Sequence, residues 1–234
     1  MNRDGWNRDG WAGGFPPVET WPADEPIAMG GDLSVERLVS AYARGIFPWP
    51  VEAGPRGLLW WSPDPRAILD PARLHVPRRL ERTLRSGAFE LSFDRSFADV
   101  VRGCAVSGTR RGATWITPEM AAAYGRLHAA GIAHSVEVWG GGRLVGGLYG
   151  VCLGGMFAGE SMFSLERDAS KVALVGVVRR LAAAGCQLFD VQVQSPHLAQ
   201  FGAEEISRWE FLERLRAALS RSHCWPADAA APAE

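Results

Sequence analysis

Lysine is nearly missing from this chain. Of its 25 basic residues only Lys171 is a lysine. Any contacts to phosphate are therefore expected to come from arginine. The net charge is −1, which excludes an overall basic field for nucleic acid and leaves only local patches. No run approaches the ~20 apolar residues of a membrane span. No apolar stretch follows the N-terminus, so no signal peptide and no membrane association are expected. The four cysteines, Cys104, Cys152, Cys186 and Cys224, form no C-x-x-C pair. That argues against a zinc site or a disulfide framework and for reduced thiols in the cytoplasm. The five histidines are dispersed as well. His128 and His134 are separated by an expected helix end, so no metal site is expected. The glycine-rich "GGGRLVGGLYG" leads into strand rather than into a helix. It therefore matches neither a dinucleotide loop nor a pyrophosphate-binding turn.

Apolar residues make up 47% of the chain and charged residues 22%, an ordinary globular balance. The start repeats the unit NRDGW once, and residues 1–14 read as a flexible extension. Residues 223–234 are poor in apolar bulk and read as a disordered tail. Between them Ser34 is placed to cap a helix ending near Gly45. The Pro- and Trp-dense segments "GIFPWP" and "LLWWSPDPRAIL" read as loops, and the prolines near 63–65 mark a boundary. Residues 15–66 then form a small N-terminal domain and residues 67–222 the larger one. Pro77 opens "PRRLERTLRS" at a first helical position, and Asp94 is expected to cap a helix through Phe97. Thr117 with Pro118 opens a further helix that Gly131 ends. "AHSVEVW" and "RLVGGLYGV" read as strands joined by a glycine turn, followed by a third strand in "GGMFAGESMFS". Asp168 is expected to cap "ASKVALVGVVRRLAAAG", and a strand "LFDVQVQS" comes next. Ser207-x-x-Glu210 opens the last helix. The class is α+β with a mixed sheet.

Three polar features stand out on these strands. Glu160 shares a face with Met156 and Ala158, where an unpaired carboxylate would cost several kcal/mol. Asp190 and Gln192 sit two apart on one strand and so point the same way. Arg78, Arg79, Arg82 and Arg85 line one helix whose Leu80 and Leu84 would face the core. For each feature a structural reading stands beside a functional one: an internal partner, a satisfied polar cluster, or a solvated face. The functional readings are a pocket for a cation and, with Trp49, Trp60, Trp61 and Trp115, a platform for a single-stranded RNA end.

The blocks "GGDLS", "AYARGIFPW", "LLWWSPDPRAIL", "TWITPEM", "AYGRLH", "FAGESMF", "ASKVAL" and "DVQV" occur in this order. Together they resemble the leucyl/phenylalanyl-tRNA–protein transferase family over about residues 15–215. The resemblance implies a small N-terminal domain followed by a GNAT-like mixed-sheet domain. It implies transfer of Leu or Phe, and sometimes Met, from aminoacyl-tRNA to proteins that begin with Arg or Lys. The product would be an N-degron read by ClpS and ClpAP. No metal, CoA or other cofactor is implied, and a cytoplasmic monomer is expected. Trp49 and Trp115 would hold the terminal adenosine. Leu148, Leu174, Val177 and Phe189 would line the amino-acid pocket, with Tyr124 and Phe157 also at the substrate. Asp190, Gln192 and Glu160 would form the reaction centre, and Arg78, Arg79, Arg82 and Arg85 would meet the acceptor stem. Leu148 and Val177 stand where the family pattern has larger side chains, which leaves the donor preference open.

An aminoacyl ester is already activated, and the attacking α-amine has a pKa of ~7.7–8.0. Positioning is then the main task and can contribute up to ~7–11 kcal/mol. Asp190 is expected to orient Gln192, whose amide oxygen accepts from the amine. Glu160 is expected to help place the cationic acceptor.

Overall fold

The computed structural model describes residues 14–50, 57–108 and 114–226. Residues 1–13, with the NRDGW repeat, and residues 227–234 lie outside that set. Two sheets organise the rest. The smaller joins β1 (Ala28–Met29), β2 (Phe47–Pro50) and β3 (Leu58–Trp61) in the order β1-β3-β2, all antiparallel. Helix α1 (Val35–Tyr42) precedes β2, and Ser34 caps it by accepting from the Arg37 N–H. The prolines of "FPWP" suit β2 because an edge strand can leave N–H groups unpaired. The segments expected as Trp-rich loops are therefore strands. Trp60 shows why: it is buried and its indole N–H donates to Gly30 O at 2.8 Å.

The larger sheet takes β4 (Arg66–Leu69), β5 (Glu90–Phe93), β6 (Ala133–Gly140), β7 (Arg143–Leu153), β8 (Met156–Ser164), β9 (Leu188–Gln192) and β10 (Glu204–Ile206). Their order is β10-β4-β9-β8-β7-β6-β5. Every pairing is antiparallel except β8 with β9, so the sheet is mixed. The glycine turn between β6 and β7 is present, with Gly141 and Gly142 at φ 55° and 76°. Apolar layers cover both faces. One is built on α5 (Ala169–Ala183) with Leu80 of α2 (Arg78–Arg85). The other gathers α1, α3 (Phe97–Gly108), α4 (Pro118–Ala129), α7 (Arg208–Leu219) and the small sheet.

Several local expectations need correction. Pro77 is the residue before α2, not its first position. Asp94 has φ 57° and does not cap α3. Its carboxylate instead accepts from the Ser135 N–H, the Trp225 indole and His134 Nδ1, each at 2.8 Å. Asp168 precedes α5 in the left-handed region without a side-chain cap, and its carboxylate pairs with Lys171. Cys224 and Trp225, assigned by composition to a tail, are buried in the layer that holds α5. The cysteines are not scattered in space either: Cys152 and Cys224 bring their sulfurs to 3.5 Å. Composition is blind to both because the contacts are made by residues far apart in sequence.

Candidate functional site

The parallel pairing of β8 and β9 is short. It runs from Met156↔Leu188 to Ala158↔Asp190 and stops. Beyond that point Glu160 on β8 and Gln192 on β9 bridge the parting strands side chain to side chain. Gln192 Nε2 donates to Glu160 Oε1 at 3.1 Å. A bulge sits at the same place. Tyr149 pairs with Ser161 and Gly150 with Gly159, so Glu160 is the extra residue of β8. Bulges re-aim a side chain at the cost of a ladder bond. Gly150 is required there, since a Cβ would lie 2.3 Å from Ala158 O.

Asp190 is not a free acid. The guanidinium of Arg66 forks onto it, with Nε to Oδ1 at 2.8 Å and Nη2 to Oδ2 at 2.6 Å. Both side chains are almost fully buried. Arg66 spends its third nitrogen on Gly45 O at 3.1 Å and lies between the rings of Phe47 and Phe211. Asp190 Oδ1 also accepts the backbone N–H of Gln192 at 2.9 Å. That bond holds Gln192 at φ 63°, a conformation that side-chain-bearing residues other than Asn and Asp seldom adopt. Asp190 thus acts on the Gln192 backbone, whereas Glu160 aims the Gln192 amide. The strand ends here. Gln194 turns to Ala203 O, and Val193 is exposed.

Glu160 is met by phenols. Tyr124 donates to its Oε2 at 2.7 Å, and Tyr42 stands 2.7 Å behind, hydroxyl to hydroxyl. The chain has three tyrosines in all, and the third, Tyr149, packs edge-on against Tyr124. Among the described residues Glu160 has no ion-pair partner. Burial pushes its carboxyl up to about 7, against the pull of the Tyr124 and Tyr42 hydroxyls and with a contribution from Asp190. The three phenols are raised well above their usual range by burial and stay protonated donors. A carboxylate only accepts, so ionised Glu160 fixes Gln192 with its nitrogen inward and leaves the amide oxygen for another partner.

A stability effect follows. Glu160 titrates near 7 when folded and near 4.5 as an ordinary carboxyl. Between those values the folded chain holds a proton that the unfolded chain has lost, so stability falls as pH rises. The drop is on the order of 3 kcal/mol, complete slightly above pH 7. Relative to wild type, Glu160→Gln should gain stability from pH 5 to pH 8 in urea titrations. Parallel curves for the two proteins would contradict this.

The remaining expected residues fall into three groups. Leu148, Phe157, Leu174, Val177 and Phe189 share one buried apolar layer. It adjoins the polar centre through Gly159, whose Cβ would lie 3.1 Å from the Phe189 ring. Trp49 and Trp115 come together at a centroid distance of 5.3 Å, stacked at 18°, and Trp49 is 41% exposed. Arg78, Arg79, Arg82 and Arg85 lie on the exposed side of α2 while Leu80 is buried. Arg66, Tyr42 and Tyr149 were not anticipated as site residues. Arg66 had one signal, an arginine heading the apolar run "RAIL". The tyrosines had another, their rarity.

A carboxylate and an amide on parting strands, backed by a neutralised buried acid, form a polar centre on an α+β mixed sheet. The family model for leucyl/phenylalanyl-tRNA protein transferase matches residues 68–216, and the model for its N-terminal domain matches residues 31–64. The chain is 53% identical to the leucyl/phenylalanyl-tRNA–protein transferase of Anaeromyxobacter dehalogenans, covering 93% of this chain and 94% of the relative. It is 55% identical to that of Syntrophobacter fumaroxidans, covering 86% of each. It is 51% identical to that of Stutzerimonas stutzeri, covering 88% of this chain and 92% of the relative. The chain belongs to the leucyl/phenylalanyl-tRNA–protein transferase family. It is an aminoacyltransferase, moving an amino acid from tRNA to protein.

Proposed function

We propose that this enzyme transfers Leu or Phe, and also Met, from aminoacyl-tRNA to the α-amine of proteins that begin with Arg or Lys. The product is an N-degron of the kind delivered by ClpS to ClpAP, and the reaction belongs to the cytoplasm. The observation that carries the reading is the Glu160–Gln192 bridge at the strand parting. The free oxygen of the Gln192 amide can accept from the attacking amine. Positive charge then grows on nitrogen beside Glu160, the site acid that lacks a cationic partner among the described residues. The same uncompensated charge suits an acceptor whose first side chain is a cation.

The apolar layer of Leu148, Phe157, Leu174, Val177 and Phe189 suits a Leu or Phe side chain. Trp49 and Trp115 offer faces for the terminal adenine. Stacking a base between them needs about 7 Å from plane to plane, two gaps of ~3.5 Å, so their stack must open. Arg78, Arg79, Arg82 and Arg85 present guanidinium groups to the acceptor stem. The aminoacyl ester is already activated, so its transfer needs no activating cofactor.

Labelled Leu-, Phe- and Met-tRNA, each offered with peptides beginning with Arg, Lys or Ala, test the reading. Label should pass to the Arg and Lys peptides and not to the Ala peptide. Equal labelling of all three peptides, or acyl transfer from acetyl-CoA instead, would overturn it.

A further inference from the structure

We propose a phosphate-binding pocket beside the N-terminal end of α5 that seats a backbone phosphodiester in the single-stranded 3′ end of the donor RNA. The inference rests on the proposed use of aminoacyl-tRNA. A cavity of about 490 Å³ opens between α2, the end of β8, the start of α5 and the segment after β9. That is within the usual volume range of ligand pockets. Its charged lining is Arg79, Arg167 and Lys171 against a single acid, Asp168. Lys171 is the chain's only lysine. It sits 2.8 Å from Asp168 Oδ1, while Arg167 approaches Oδ2 at 3.9 Å. One carboxylate therefore serves several cations and leaves an excess of positive charge.

His197, also in the lining, has an Nε2 sealed from solvent with no hydrogen-bond partner among the described residues. A buried polar atom without a partner needs an explanation, and an anion held in this cavity would supply one. Burial and Lys171 lower its pKa, so at neutral pH the ring adds hydrogen bonding rather than charge.

Position favours RNA over a free anion. Arg79 belongs at once to this cavity and to the arginine face of α2, so the basic surface runs from the helix into the pocket. Ser164, in the lining, is four residues along β8 from Glu160, or ~14 Å at ~3.4 Å per residue. Four stacked nucleotides span the same length at ~3.4 Å each. A donor whose ester lies at Glu160 and Gln192 would bring a phosphate near the root of its single-stranded end to this pocket.

The test uses the full chain with two donors, Leu-tRNA and leucyl-adenosine, which has no phosphate. Arg167→Ala with Lys171→Ala should raise KM for Leu-tRNA about tenfold with kcat unchanged. The slope of log KM against log salt should flatten by roughly 1.4, or ~0.7 per lost contact on a single strand. Kinetics with leucyl-adenosine should not change. Asp168→Asn, which keeps a residue tolerant of the left-handed backbone, should lower KM for Leu-tRNA. Lys171→Arg should stay near wild type. Unchanged KM in the double variant, or an equal loss on both donors, would overturn the pocket. Anisotropy with labelled uncharged tRNA separates the two proposals. If wild type transfers from neither donor, the proposed function fails. Weaker RNA binding by the double variant would still support the pocket, and equal binding would refute it.

Discussion

Arg66→Met is expected to destabilise the protein by about 3–5 kcal/mol and to abolish transfer. The substitution leaves the Asp190 carboxylate buried without its guanidinium, and breaking a buried pair from one side costs that much. For a chain of this size the melting temperature should fall by on the order of 10 °C. The double variant Arg66→Met with Asp190→Leu removes both charges and should recover most of the lost stability, because a well-packed apolar pair often replaces a buried ion pair at little cost. It should not recover transfer. Asp190 also accepts the Gln192 N–H that holds this residue at φ 63°, and leucine cannot. A stable double variant with wild-type kcat would show that the pair is structural only. A single variant as stable as wild type would show that the pair carries little of the fold.

Gln192→Asn should lower kcat by about 10²- to 10³-fold, the usual loss when a group that handles a proton or a developing charge is misplaced. Asparagine tolerates the left-handed backbone, so the strand end should keep its shape. Its side chain is one methylene shorter, and the 3.1 Å bond to Glu160 is lost. KM for aminoacyl-tRNA should stay within about threefold, since the tryptophans and the arginine helix are untouched. Wild-type kcat in this variant would remove Gln192 from the chemistry. A rise in KM alone would recast it as a binding residue. Thermal melts of both proteins should coincide within a few degrees, which separates a chemical loss from a folding one.

The two substitutions divide the centre by mechanism. Asp190 fixes the Gln192 backbone from below, through a salt bridge closed off from water. Glu160 fixes the Gln192 side chain from the facing strand and is itself held by phenols. At neutral pH Glu160 lies near its midpoint, so under the proposed mechanism the proton that governs stability would also govern activity.

The sequence by itself determined the helices from Thr117, Ser207 and Ser34, whose caps sit where spacing puts them. It also determined the β6–β7 hairpin, and it placed Asp190 and Gln192 on one short strand. Those features depend on neighbours three or four residues away, and local periodicity records them. Tertiary structure decided the rest. Arg66 meets Asp190 across 124 residues, and nothing within either segment names the other. Tyr42 and Tyr124 reach Glu160 only because α1 and α4 cover the same face of the sheet. The bulge that turns Glu160 toward Gln192 depends on how β7 and β8 fall into register, and register belongs to a pair of strands, not to either one. Residue types suited to an acid, an amide and an arginine are readable along the chain. Which of them are neutralised and which stay free to act is set by packing, through burial and the hydrogen bonds that burial enforces.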